Sequence, residues 1–541
     1  MNDNERIKLE KDGLDVYEDI LRYAKTGYES IHPDDFPRMR WYGLYQQRPN
    51  EGHFMLRIKV PGGFLTSEQL RTVGDITRIY ARGITDITTR QNFQFHWLTI
   101  EQLSDIFDRL TSVGITTSGA CGDFFRNVTG CPVAGIDPNE VFDARPWVTQ
   151  ISDFFVGNHE YSNLPRKFKT SIAGCSLHCS QPEINDIGAT AVRRTRPSGE
   201  VELGFQVRVG GGLSARPHFA KRLNMFVPQD RLLSIFEVVT GIFRDHGNRE
   251  NRKKARLKFL VDDWGIERFE AEVRSRLDWK PDAGEDWPEP RQNFRDHIGV
   301  HAQKQEGFYW IGASVLSGRL NDEQIHAAAA VADEYGRGAV RTTNQQNLLF
   351  TDIPHAKVDA AQKALENIGL IVDASPFRRV AVACTGNEFC NLALTETKKL
   401  IVEIVEHLEQ TVSIDEPIRI NLNGCPYSCG LHHVGDIGLQ GCVVKQGGGI
   451  TVDGYDVSLG GRLGADSKFV RPIWRKVPAT NVKFAIENLL NGYVEKRDEE
   501  DDFGSFVDRH SDDELAALMK TAFAEGVETA KPAHEHGLVE V

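Results

Sequence analysis

The chain has 541 residues with 40% hydrophobic and 26% charged content, too long for one core and ordinary for a soluble protein of several domains. A formal charge of −13 argues against general nucleic-acid binding, and no apolar run reaches bilayer-spanning length. Nine cysteines without a disulfide-scaffold pattern, and an N-terminus lacking an apolar signal region, point to a reducing cytoplasm.

Residues 1–39 read as an acidic amphipathic lead, with a helix over Asp15–Thr26. A strand-like His53–Gly63, a helix in SEQLRTVGDITRIYARG, a strand over Thr88–Ile100 and a helix in EQLSDIFDRLTSVG follow. This alternation predicts a sheet layered with helices over 40–130. Residues 131–277 form a larger lobe. Within it, Leu164–Gly188 holds a strand ending in a cysteine loop, and a second strand reaches Val207–Pro217. The lobe closes on a basic run, Arg249, Arg252, Lys253, Lys254, Arg256 and Lys258, which is either a solvated face or a hold on a polyanion. Residues 278–300, rich in Pro, Asp and Glu, read as a linker. The pattern then restarts, with a second sheet over 301–380 and a second lobe over 381–496. Residues 497–541 are an acidic, then helical tail whose last dozen residues look poorly ordered.

The chain repeats itself. Cys175 and Cys179 align with Cys425 and Cys429, and Asp186-Ile187-Gly188 with Asp436-Ile437-Gly438, each 250 residues apart. Thr88-Thr89-Arg90-Gln91 resembles Thr342-Thr343-Asn344-Gln345 at an offset of 254, and Cys131 falls 253 before Cys384. The expected fold class is α+β, with two homologous halves, about 40–277 and 301–490, in pseudo-twofold symmetry.

Only the second half carries two short-spaced cysteine pairs, Cys384-x5-Cys390 and Cys425-x3-Cys429. Four thiolates are what an iron–sulfur cubane needs, and the spacing is not the C-x2-C of structural zinc. Buried, inert thiols are the alternative reading. The first half has Cys175 and Cys179 in the equivalent loop. Cys121 and Cys131 lie upstream, spaced ten apart instead of six, and small buried thiols explain this set without a metal. What the first half offers is positive charge: Arg57, Arg90, Arg126, Lys167 and Lys169, set in apolar runs. Lys167 and Lys169, two apart, share a strand face. Together they suggest an anion pocket, arginine giving fixed bidentate contacts and lysine a charge that also donates protons.

At these residues the chain resembles the sulfite/nitrite reductase hemoprotein family, from about Arg38 to about Phe506. The cluster pair is the most specific motif; TTRQNFQFHW, RNVTGCP and LPRKFKT support it. The resemblance implies two ferredoxin-like α/β repeats, each with a larger lobe of sirohaem/[4Fe–4S] type. It implies that Cys384, Cys390, Cys425 and Cys429 bind a [4Fe–4S] cluster, with the Cys429 sulfur also bridging to the sirohaem iron. Arg57, Arg126, Lys167 and Lys169 match the substrate-anion residues. Arg90 and Gln91 match the region holding sirohaem carboxylates, where the basic run would help. The implied reaction is six-electron reduction of sulfite to sulfide. Reduction of nitrite to ammonia is the second reading, and a non-catalytic metal-binding module is the alternative from another class. Lysine at 169, where plant-type nitrite reductases tend to carry Asn, favours sulfite, since a dianion gains more from an extra cation. No flavin or nicotinamide module is visible, so electrons are expected from a ferredoxin or, second, a separate flavoprotein. Tyr45 is expected to approach Cys121, which raises the hypothesis of a thioether between them.

Overall fold

The computed structural model describes residues 2–49, 51–290, 295–445 and 450–520. The last dozen residues, expected to be poorly ordered, lie outside the described residues. The chain forms two compact units. One holds Met1–Gly212, His218–Ala313 and Leu320–Val372, and the other Leu213–Pro217, Ser314–Arg319 and the chain from Asp373 onward.

The first unit contains both ferredoxin-like sheets. Leu44–Gln46, Phe54–Arg57, Phe93–Leu98 and Ile84–Ile87 make one; Gly299–Ala302, Phe308–Ala313, Leu348–Pro354 and Ala339–Thr342 make the other. Each takes its fifth strand from the opposite repeat. Phe64–Thr66 pairs with Ala339–Thr342, and Arg319–Asn321 lies beside Ile84–Ile87. The strand expected over His53–Gly63 therefore stops at Arg57, because Pro61–Gly63 turns, with φ of 62° at Gly62 and 78° at Gly63. Helices Ser67–Ile79 and Asp322–Tyr335 both begin on capping boxes, Thr66 with Gln69 and Asn321 with Gln324. They pack closely: a Cβ on Gly74 would fall 2.6 Å from the His326 ring. Reciprocal bonds close the pseudo-twofold, Gln91 Nε2 donating to Thr342 O at 3.0 Å and Gln346 Nε2 to Ile87 O at 2.8 Å. They correct the offset here to 255, pairing Gln91 with Gln346. The motif match slipped by one because Thr342-Thr343 and Gln345-Gln346 each double a residue.

The two lobes share a topology. In the first, Phe125–Gly130, Phe168–Ala173 and Ile187–Thr195 run parallel, and Val201–Val209 follows antiparallel. In the second, Val382–Ala383, Ile420–Asn423 and Ile437–Lys445 run parallel, followed antiparallel by Thr451–Leu459 and Arg471–Pro478. Leu232–His246 packs its apolar side into the first lobe's core, as Lys398–Thr411 and Ala479–Lys496 do in the second.

The basic run is largely spent on internal carboxylates. Arg249 donates to Glu5 at 2.8 Å, Arg252 to both oxygens of Asp123 at 2.8 and 3.1 Å, and Arg256 to Asp186. Lys8 and Arg166 converge on the same Asp123, which ties the N-terminal lead to the first lobe. Burial pushes the Asp123 carboxyl up, but Arg252, Lys8 and Arg166 outweigh it and hold the group down at about 2. Its contribution is therefore present above its ordinary 3.8 and lost only as pH falls through about 2. Asp123→Asn strands three cations around a neutral amide and is expected to cost about 3–5 kcal/mol near neutral pH, read by chemical denaturation.

Candidate active site

The four presumed cluster ligands lie in the second unit, at the C-terminal ends of parallel strands. Cys384 follows Val382–Ala383, its N–H donating to Leu422 O at 3.0 Å, and Cys425 follows Ile420–Asn423. Gly424 N–H donates to Cys384 Sγ at 3.3 Å, a contact that favours thiolate. Burial and then the Cys429 and Cys390 charges push Cys384 up to about 11; burial and then Cys429, Cys384 and Cys390 push Cys425 up to about 12. The four sulfurs thus lie within electrostatic reach of one another, and only a bound cation would keep all four ionised together. Cys425 is buried and Cys429 exposed. This donor set fits a [4Fe–4S] cluster with one thiolate open to a further group.

The first lobe carries the same loop with another ligand set. Gly130 pairs with Ile172 as Ala383 pairs with Leu422. Val141 N–H bonds Gly174 O at 2.7 Å as Leu394 N–H bonds Gly424 O at 2.7 Å. A Cβ on Gly174 would meet Phe142 O, and one on Gly424 would meet Thr395 O. All three hold offsets of 253 and 250. The copies of Cys384, Cys390, Cys425 and Cys429 are therefore Cys131, Asp137, Cys175 and Cys179. This corrects the upstream pair taken as Cys121 and Cys131. The spacing of six is intact, but its second residue is a carboxylate. Asp137 is buried and ion-paired with Arg295 at 2.9 Å. Hydrogen bonding with Cys175 is the largest influence raising the Cys131 pKa. With one carboxylate already neutralised by arginine, this set does not offer the four thiolates of the second lobe.

The expected cations gather in the first unit. Arg57 donates to Cys121 Sγ at 3.2 Å and Gln94 Oε1 at 2.7 Å. Arg126 is buried and bonds the carbonyls of Ala120 at 3.2 Å and Gly122 at 2.6 Å. Arg90 reaches Asn185 Oδ1 at 2.8 Å and Thr170 O at 3.0 Å. Burial, then the Arg126 charge, pushes Arg90 down to about 9, with Arg256 and Arg57 adding to the repulsion. Lys169 lies in Phe168–Ala173, and Lys167 immediately precedes that strand. Gln91 differs from expectation in use: its amide is taken by Gly62 O, Thr342 O and Gly130 N–H, so it braces the loop bearing Arg90. Tyr45 and Cys121 are neighbours, burial first and Cys121 second raising the Tyr45 pKa.

The sequence reading missed Lys59. Burial pushes its amine down to about 7, and Arg126 and Arg90 push the same way. Its Nζ is buried with no hydrogen-bond partner among the described residues. In FMLRIKV it stands two after Arg57, the same spacing that links Lys167 to Lys169.

A duplicated ferredoxin-like core, a loop gathering four thiols and a nest of buried cations define an iron–sulfur redox protein that handles anions. Family models make this particular. Residues 121–281 and 375–524 match the nitrite and sulphite reductase 4Fe-4S domain, and 45–113 and 301–368 the nitrite/sulfite reductase ferredoxin-like half domain. The chain belongs to the nitrite and sulphite reductase family, which carries sirohaem and a [4Fe–4S] cluster. It is 37% identical to the assimilatory ferredoxin-dependent nitrite reductase of Haloferax mediterranei, over 94% of this chain and 92% of that protein. It is 38% identical to sulfite reductase [ferredoxin] 2 of Mycolicibacterium paratuberculosis, over 95% and 96%. The solved structure of Mycobacterium tuberculosis NirA superposes with a TM-score of 0.89 at 36% identity, covering 95% of this chain and 97% of that one.

Serine at Cys384 or Cys425 is expected to lower iron and acid-labile sulfide in the purified protein. Serine at Cys131 or Cys175 is expected to leave both at wild-type content. Iron lost from Cys175→Ser would assign metal to the first lobe as well.

Proposed function

We propose that the protein is a ferredoxin-dependent sulfite reductase, with nitrite as the second substrate reading. The observation that carries this is the crowding of Arg57, Arg90 and Arg126 in a chain of net charge −13. Partly buried like charges repel, and such a group makes physical sense where an anion is to be bound. Relatives named for sulfite and for nitrite are similar to the same degree, and their names give ferredoxin as the electron donor. Lys169 tips the reading to sulfite, because a second negative charge gains more from one more cation.

When bound, sirohaem and the cluster supply single electrons to the central atom of the substrate. Cys384, Cys390, Cys425 and Cys429 would hold the cluster, and the exposed Cys429 is the thiolate able to serve the sirohaem iron as well. Arg90 would help hold the sirohaem carboxylates, and Gln91 holds its loop. Arg57 and Arg126 neutralise the substrate oxygens and stabilise charge as S–O or N–O bonds break. Lys167 and Lys169 give protons to those oxygens, which leave as water.

Arg57→Ala or Arg126→Ala is expected to lower kcat/KM about 100-fold for either substrate. Lys169→Asn is expected to raise the ratio of nitrite to sulfite kcat/KM about tenfold, measured with reduced ferredoxin. An unchanged ratio would show that Lys169 does not discriminate.

A further inference from the structure

The main chain around Lys59 is held from several directions. Ile58 N–H donates to Phe93 O at 3.1 Å, and Lys59 N–H to Thr116 O at 2.9 Å. Val60 N–H donates to Asn92 Oδ1 at 3.0 Å, and Asn127 Nδ2 to Val60 O at 2.7 Å. Ile58 and Val60 are buried, and alternation along extended backbone sets Lys59 on the same side as Arg57. Lys59 is only 2% exposed, yet its Nζ has no hydrogen-bond partner among the described residues. The charges that reach it are mostly of its own sign: Arg126, in Phe125–Gly130, and Arg90, in the turn after Ile84–Ile87. Asp153 attracts it, but stands exposed on the helix Arg145–Phe155. The two arginines are occupied, Arg126 by the carbonyls of Ala120 and Gly122, and Arg90 by Asn127 O, Thr170 O and Asn185 Oδ1. The Lys59 amine has no such acceptor. An ammonium in that position is costly unless an anion joins it.

We infer that Lys59 is a further anion-binding residue, whose ammonium takes an anionic oxygen that the chain itself does not supply. That oxygen belongs to the substrate or to a sirohaem carboxylate. The inference rests on the reading of Arg57, Arg90 and Arg126 as a group that receives anions. The flexible four-carbon stem lets the amine turn toward the arriving oxygen. Pairing there offsets both the burial and the repulsion by Arg126 and Arg90. Burial pushes the free amine down to about 7 against the pull of Asp153, and Arg126 and Arg90 add to the burial. Without the anion the amine is therefore partly neutral near neutral pH, and it takes up a proton when the anion binds. Affinity is full below about 7 and falls as pH rises through that value.

The test uses the holoenzymes of wild type, Lys59→Met, Lys59→Gln and Lys59→Arg. Sirohaem content is measured after extraction, and nitrite affinity by titrating the sirohaem absorption. Nitrite is the probe because, unlike sulfite, it keeps one charge throughout the neutral range. Contact with substrate predicts wild-type sirohaem content and a nitrite Kd about tenfold higher in Lys59→Met and Lys59→Gln. The wild-type affinity should then fall about tenfold between about pH 6 and about pH 8, and that of Lys59→Met by less than about twofold. Equal slopes in the two overturn the proton coupling. Contact with a sirohaem carboxylate predicts instead a sirohaem content lower by about threefold or more in Lys59→Met and Lys59→Gln, restored in Lys59→Arg. Sirohaem lost equally from Lys59→Arg overturns that source, because charge is then not what the site needs. Wild-type sirohaem content and wild-type nitrite affinity in both neutral variants overturn the inference. Arg57→Ala then decides whether the anion reading falls with it: the reading falls if that variant also binds nitrite as wild type does, and stands if it does not.

Discussion

Each lobe is built on a buried carboxylate that ties two parallel strands together. Asp186 and Asp436 start the third strand and accept the main-chain N–H of the second at 2.7 Å. Each is paired with a guanidinium, Arg256 for Asp186 and Arg419 for Asp436. How each is neutralised differs: Arg419 donates to Asp436, and Arg256 to Asp186. In the second lobe the arginine is Arg419, immediately before Ile420–Asn423. In the first, Arg256 donates to Asp186; Lys169 lies in the strand Phe168–Ala173 and Lys167 immediately before it.

The same divergence runs through the cysteine loops. They share strand pairing and the bond that closes the loop, yet one carries four thiols and the other three thiols and a carboxylate. Asp137 is held by Arg295, so a fixed organic cation stands in the first lobe where the second gathers thiolates for an inorganic one. Duplication supplied two equivalent loops; buried charge balance separated their uses.

Much of this was legible in one dimension. The constant offsets revealed the duplication, because a repeated fold keeps its glycine and cysteine loops at fixed spacing. The cluster ligands stood out because four thiols at short spacing have few other uses. Arg57, Arg90 and Arg126 were visible as charges inside apolar runs. The exchange of edge strands was not, since Phe64–Thr66 and Arg319–Asn321 are too short to carry a pattern of partner choice. The basic run was left between a solvated face and a hold on a polyanion because its partners, Glu5, Asp123 and Asp186, lie 70 to 244 residues away. Lys59 was passed over because a single lysine in a strand reads as solvated until its burial is known.

The sequence alone determined the family and the duplication, because these rest on residue type and spacing, which survive without coordinates. The tertiary structure decided which copy of each residue does what. It put Asp137 against Arg295, Gln91 on the carbonyls between repeats, and Arg256 on Asp186. Those assignments depend on which charges are buried together, and burial is a property of the folded chain that no local stretch contains.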